Sequence, residues 1–147
     1  MIPTSDEIKA LNFGYLNGED ILLFCPIQLL IRQNTIDANF ISNCVHIAYS
    51  EIFSNLATKF DIATEFAKTD INRDATCVKI TTILAIKNII SNLPGIPVHT
   101  HELIKDNEQA ILAIRNGQRS LIGLKTNETE SLRSNSVLIK DKFWTIG

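Results

Sequence analysis

The strongest constraint on this chain is residues 35–56, which read as one long amphipathic helix with a defined start. Asp37 stands where an N-cap belongs. Ile36 precedes it and Ile41 follows at the spacing of a hydrophobic staple. Ile41, Val45, Ala48, Ile52 and Leu56 then recur at steps of four and three, with Phe40, Cys44 and Ile47 widening the stripe. Asn39, Ser42, Asn43, His46, Ser50, Ser54 and Asn55 take the other side. A helix of about 20 residues is about 30 Å long, the width of a small domain, so the remaining chain is expected to pack on it.

Two further helices can be read from the sequence. Residues 73–93 carry apolar side chains around more than half of the helix circumference, with Asp74 in the first turn and Leu93-Pro94-Gly95 as the stop. This predicts the most buried helix of the fold. Thr100 is expected to cap a third helix that ends near Asn116, with Gly117 just beyond it. Its stripe of Leu103, Ile104, Ala110, Ile111 and Ile114 is thinner, and Glu102, Lys105, Asp106, Glu108 and Arg115 solvate it. Thr4 with Glu7 forms a capping-box pattern, which predicts a short helix over residues 5–12. Gly14 and Asn17-Gly18 read as breaks. The apolar clusters at 21–24 and 27–31 are too short to assign by period, and residues 58–72 read as a connection. Beyond Gly117 come β-prone pieces at 121–125 and 137–140, separated by polar residues 126–136.

Composition narrows the class. At 147 residues, a single domain is the economical reading, burying roughly 68–70% of the unfolded surface. With 45% hydrophobic and 20% charged residues the chain is not wholly disordered. A net charge of −2 and a pI near 5.9, with scattered Lys and Arg, argue against binding nucleic acid through phosphate contacts. Cys25, Cys44 and Cys77 share no metal-ligand spacing; Cys44 and Cys77 fall on apolar helix faces and read as small hydrophobes, and a reducing compartment fits best. The first residues show neither the basic nor the apolar region of a signal peptide, and no apolar run approaches the ~18 residues of a membrane span. The expectation is a soluble protein.

Candidate chemistry is sparse. His99-x-His101 is the only close histidine pair, and no Cys, Asp or Glu completes a ligand spacing around it. It is expected in an exposed loop, and His46 on the polar face of the long helix. Asp61, Glu65, Asp70 and Asp74 could supply paired carboxylates for acid–base work. No nucleophile, phosphate-binding glycine loop or arginine cluster accompanies them, so they read as loop and N-terminal-turn acids that pair with Lys59, Lys68 or Arg73. The expectation is a protein that is not an enzyme and uses no catalytic residues, cofactor or metal. Leu138, Ile139, Phe143, Trp144 and Ile146 lie beyond the last helix. They either fold back as a hairpin or add to a neighbouring subunit or partner, where Trp is favoured as an anchor.

Several pieces recur in a familiar order: Thr-Ser-Asp-Glu-Ile in the first helix, Thr35-Ile-Asp-x-x-Phe-Ile opening the long one, and Ala48-x-x-Glu51-Ile52-x-x-x-Leu56 continuing it. Phe60-Asp61-Ile62 follows, then Arg73-Asp74, and finally Ala110-x-Leu112-x-Ile114-x-x-Gly117. Over roughly residues 4–120 the chain resembles the head–tail connector (adaptor, or head-completion) proteins of tailed bacteriophages, including the Mu-like connector group. It departs from them in residues 21–31 and in its tail. The resemblance implies a helical subunit of a virion-neck ring, commonly of twelve copies. Such a ring lies between the portal and the tail or the next connector ring, and DNA passes through it without specific binding. It also implies assembly in the host cytoplasm and no membrane. A channel past which DNA slides need not be basic. A head-to-tail contact closes into a ring.

The expected fold is therefore mainly α: a small bundle of three main helices and a short N-terminal one, with a C-terminal β-hairpin or extended arm. The helical domain is expected over 1–117 and the arm over 118–147. Leu121, Leu138, Ile139, Phe143, Trp144 and Ile146 are the candidate subunit or partner interface. The competing function is a small intracellular helical adaptor that binds a partner protein without forming a ring.

Overall fold

The computed structural model describes residues 4–25, 37–91, 93–121, 123–124 and 126. The protein is mainly α, and the described residues contain no β-strand. The helices are α1 (Ser5–Lys9), α2 (Gly18–Phe24), α3 (Ala38–Leu56), α4 (Ile62–Phe66), α5 (Ala75–Ile90) and α6 (Val98–Arg115), with a 3₁₀ turn at Asp70–Asn72 between α4 and α5. The apolar run 27–31, the staple residue Ile36 and the β-prone piece 137–140 lie outside the described residues, so neither a C-terminal hairpin nor an arm is among them.

Most helix starts follow from side chains that satisfy the first free N–H groups. Thr4 Oγ1 accepts from the Glu7 N–H at 3.2 Å, and the Glu7 carboxylate accepts from the Thr4 N–H at 3.3 Å. The helix stops at Lys9 rather than near Asn12 because the Asn12 side chain turns back to accept from the Gly14 N–H at 2.8 Å. Asp37 caps α3 through the Phe40 N–H at 2.8 Å, and Asp74 caps α5 through the Cys77 N–H at 2.8 Å.

Asn17-Gly18 is the start of a helix rather than a break. Asn17 and Asp20 exchange reciprocal bonds of 3.1 and 2.9 Å in a second capping box. Gly18 donates to the Leu11 carbonyl at 2.9 Å, and a Cβ placed there would lie 1.5 Å from the Ile8 carbonyl oxygen. Glycine is needed because the backbone of α1 passes directly over the first residue of α2.

The core forms around α5. Ten of its sixteen residues are buried, and it packs against α3 most extensively, then against α2 and α6. On α3 the buried stripe is Ile41, Cys44, Val45, Ala48, Ile52 and Leu56. Ile47 does not join it: it lies roughly 130° around the helix from the stripe centre and is 51% exposed. Two amides tie neighbouring helices to α5: Asn88 donates to the Cys44 carbonyl at 3.2 Å, and the buried Asn107 donates to the Ile80 carbonyl at 3.0 Å.

The start of α6 also differs from expectation. Pro97 precedes the helix, its carbonyl accepts from the N–H groups of Thr100 and His101, and Thr100 is a buried first-turn residue rather than the cap. Its end is as read. Gly117 has φ +80°, and the N–H groups of Gly117 and Gln118 reach the carbonyls of Ile114 and Ala113 at 3.2 and 2.8 Å. This is the Schellman arrangement that favours glycine. Packing continues past that stop, since Leu121 and Leu124 are in the hydrophobic core. The described part of 121–125 makes a turn, with Leu124 N–H to Leu121 O at 3.1 Å, and only Thr126 pairs in β fashion, as an isolated bridge to Phe60.

Candidate functional site

The four acids noted in the sequence take separate places. Asp61 caps α4 through Thr64, Asp74 caps α5, and Asp70 is exposed on the 3₁₀ turn at φ +50°. Only Glu65 is deeply buried, at 1% exposure. Its Oε2 accepts from the Tyr15 hydroxyl and from the Asp74 N–H at 2.7 Å, and its Oε1 meets Lys68 Nζ at 2.9 Å. A carboxylate with both oxygens engaged can leave water at tolerable cost.

Arg73 turns away from these acids. Its guanidinium forms a two-point pair with the buried Asp20, Nη1–Oδ2 at 2.7 Å and Nη2–Oδ1 at 3.3 Å. It also donates to the carbonyls of Tyr15 at 2.8 Å and Asp70 at 3.0 Å, and stands 5.8 Å from the Tyr15 ring centre. Tyr49 completes the cluster from α3, donating to the Phe13 carbonyl at 2.9 Å and accepting from the Leu16 N–H at 2.8 Å. Phe66 lies between the Tyr15 and Tyr49 rings, at 4.9 and 5.2 Å. The loop between α1 and α2 is thus held by Tyr49 of α3, by Glu65 and Phe66 of α4, and by Arg73 just before α5.

Electrostatics give this cluster a structural character. Burial, with the neighbouring Cys77 and Glu65, pushes the Tyr15 phenol far above its ordinary range. Burial also raises Cys25 and Cys77 to about 12 and Tyr49 to about 12, and raises Cys44. The hydrogen bond to Asp20 raises Arg73 further. These groups keep their protons at neutral pH, and a thiol held protonated is a poor nucleophile.

His99 and His101 are exposed, as expected, but sit in the first turn of α6 rather than in a loop. Residues two apart on a helix do not face each other, so the pair does not converge. Among the described residues no group of three or more His, Cys, Asp or Glu side chains could hold a metal ion, and no helix is long and apolar enough to cross a membrane.

Of the interface candidates, Leu121 is 1% exposed and lies in the hydrophobic core of this chain. Leu138, Ile139, Phe143, Trp144 and Ile146 lie outside the described residues. What the described surface does present is an open cleft of about 710 Å³ between α2 and the start of α5, bounded by the 3₁₀ turn. Leu23, Phe24, Ile71 and Val78 give it apolar walls among charged side chains that include Glu19, Asp70 and Lys79. Leu23 is 75% exposed and Ile71 97%.

Sequence reasoning missed this cleft, and it missed Tyr15, Asp20 and Arg73 as a connected set. One local signal was present, the Asn17-x-x-Asp20 spacing. No family model, curated protein or solved structure matches the chain.

Proposed function

We propose that this chain is a structural assembly subunit, a connector ring component between the portal and tail of a tailed bacteriophage that extends the DNA channel. The observation that carries the assembly reading is the α2–α5 cleft. Two aliphatic side chains, Leu23 and Ile71, are 75% and 97% exposed beside the partly buried Phe24 and Val78. Such exposure on a helical unit with a well-formed core marks a surface meant to be covered. Tyr15, Asp20, Glu65 and Arg73 are taken up in contacts with one another and with the backbone, which favours a structural role for that cluster.

The order of sequence elements that resembles connector proteins narrows assembly to the neck. Leu138, Ile139, Phe143, Trp144 and Ile146 supply the anchoring segment of this reading, and the near-neutral charge suits a channel past which DNA slides. Quantitative mass spectrometry of purified particles, scaled to the portal subunit, tests it. A copy number close to that of the portal is expected. Absence from mature particles overturns it in favour of an intracellular adaptor that binds one partner without forming a ring.

A further inference from the structure

The cleft and the C-terminal segment are complementary in chemistry. With Asp20 and Arg73 paired to each other, the remaining charges lining the cleft are Glu19 and Asp70 against Lys79, a slight acidic excess. An occupant should therefore be apolar, include a large side chain and carry positive charge. Residues 137–147, Val-Leu-Ile-Lys-Asp-Lys-Phe-Trp-Thr-Ile-Gly, have that composition: six apolar side chains, with Lys140 and Lys142 against Asp141.

Reach is sufficient as well. Thr126 is fixed beside Phe60, and Gly123 lies so close to Asp74 that a Cβ would be 2.3 Å from its carboxylate. Asp74 adjoins Arg73 and Ala75, which line the cleft, so the chain leaves the core near one end of it. The ten residues 127–136, all polar but Leu132, can bridge up to about 36 Å. A domain of this size has a radius of gyration of about 15 Å, so the segment can cross to an adjacent copy.

We infer that the α2–α5 cleft of one copy receives residues 137–147 of the next copy, with Phe143 and Trp144 against Leu23 and Ile71 and the lysines toward Glu19 and Asp70. The choice of a neighbouring copy rests on the ring reading. A segment and a cleft are different surfaces, so their pairing is head-to-tail, and repeated around a ring it leaves none unfilled. It assigns the receiving surface as well as the anchor.

Trp144 is the only tryptophan in the chain, so its fluorescence reports on this segment alone, in the full-length protein. Its emission is expected to shift to the blue as protein concentration rises, in step with self-association by sedimentation velocity. Leu23→Asp and Ile71→Asp should each weaken that association about tenfold or more, the scale of a central anchor, and return the emission to that of solvated tryptophan. Both positions are exposed, so circular dichroism should match the parent. Val98→Asp, exposed and outside the cleft, should leave both readouts unchanged. Association that survives both cleft variants with the blue shift intact overturns the cleft assignment and leaves the ring reading standing. A shift that is independent of concentration yet lost in the variants places the segment in its own cleft and overturns the neighbouring copy. A solvated Trp144 at every concentration and in purified particles overturns the docking altogether. Absence from particles defeats the connector reading whatever the fluorescence shows.

Discussion

Glu65→Ala should be among the most damaging single changes to this fold, and the cost can be worked from its contacts. The substitution removes the acceptor for two donors, the Tyr15 hydroxyl and the Asp74 N–H, and strips Lys68 of its partner. A buried donor left without an acceptor costs ~1–3 kcal/mol, so the two together cost ~2–6 kcal/mol. Lys68 remains partly solvated, and its loss adds ~0–1 kcal/mol. A total near ~4 kcal/mol is a large share of the ~5–15 kcal/mol that holds a domain together. Glu65→Gln separates geometry from charge. Its amide oxygen can take over both bonds at Oε2, so the expected cost falls to ~1 kcal/mol from weaker acceptance and the lost ion pair. Urea unfolding followed by far-UV circular dichroism gives both values, provided the m-values agree. Tyr15→Phe combined with Glu65→Gln in a double-mutant cycle should show coupling above ~0.5 kcal/mol. If alanine costs less than ~1 kcal/mol, or no more than glutamine, Glu65 does not anchor the α1–α2 loop.

Two other perturbations probe different parts of the same architecture. Gly18→Ala sets a Cβ against the Ile8 carbonyl at 1.5 Å, backbone that cannot rotate away, so α1 must separate from α2. Exposing Ile8 and losing the bond to Leu11 then cost ~3 kcal/mol or more. Gly14→Ala meets no atom within 4 Å and bears only the strain of its φ of +92°, ~1–2 kcal/mol, so thermal melts should rank the two in that order. Alkaline pH tests the buried thiols: Cys25 and Cys77 have native values of about 12 against an ordinary 9.0. Between those values the unfolded chain has lost protons that the native chain keeps. Stability is therefore complete below pH ~9 and falls as pH rises through the window, by up to ~1.4 kcal/mol per pH unit for each thiol. Urea midpoints measured from pH 8 to 11 should decline, and Cys77→Ala should flatten the decline. A slope unchanged by that substitution would show that Cys77 is not the group titrating.

What could be read from the sequence was local. The caps at Thr4 and Asp37 and the stop at Gly117 are bonds between residues three to five apart, which a spacing rule captures. The burial of α5 followed from apolar residues around most of its circumference. Local rules also produced the errors where two applied at once. Asn17-Gly18 fits a turn as well as a cap, and only the passage of Ile8 overhead decides that the glycine starts a helix. Thr100 is a good cap residue, but Pro97 fixes the backbone three residues earlier and the helix starts there. Leu121 follows the last helix, and its return into the core is a placement that no local spacing shows. The polar cluster had no spacing rule at all: Tyr15 meets Glu65 across 50 residues and Asp20 meets Arg73 across 53.

Those long-range contacts also shape the cleft, which connects the fold to its proposed use. Asp20 belongs to α2 and Arg73 immediately precedes α5, so their ion pair joins the two walls of the cleft. The same guanidinium holds the carbonyl of Asp70, and with it the turn that presents Ile71. Arg73 fixes the distance between walls and the placement of the exposed side chain together. Removing one member of a buried pair strands the other, so this joint resists loosening far more than a surface contact would. Affinity for a docked segment depends on how little the receiving surface must reorganise. Separate residues thus carry the two tasks: Asp20 and Arg73 set the cleft's shape as part of the folded core, and Leu23 and Ile71 supply the contact. That division lets the contact be altered at its exposed residues while the fold beneath stays intact.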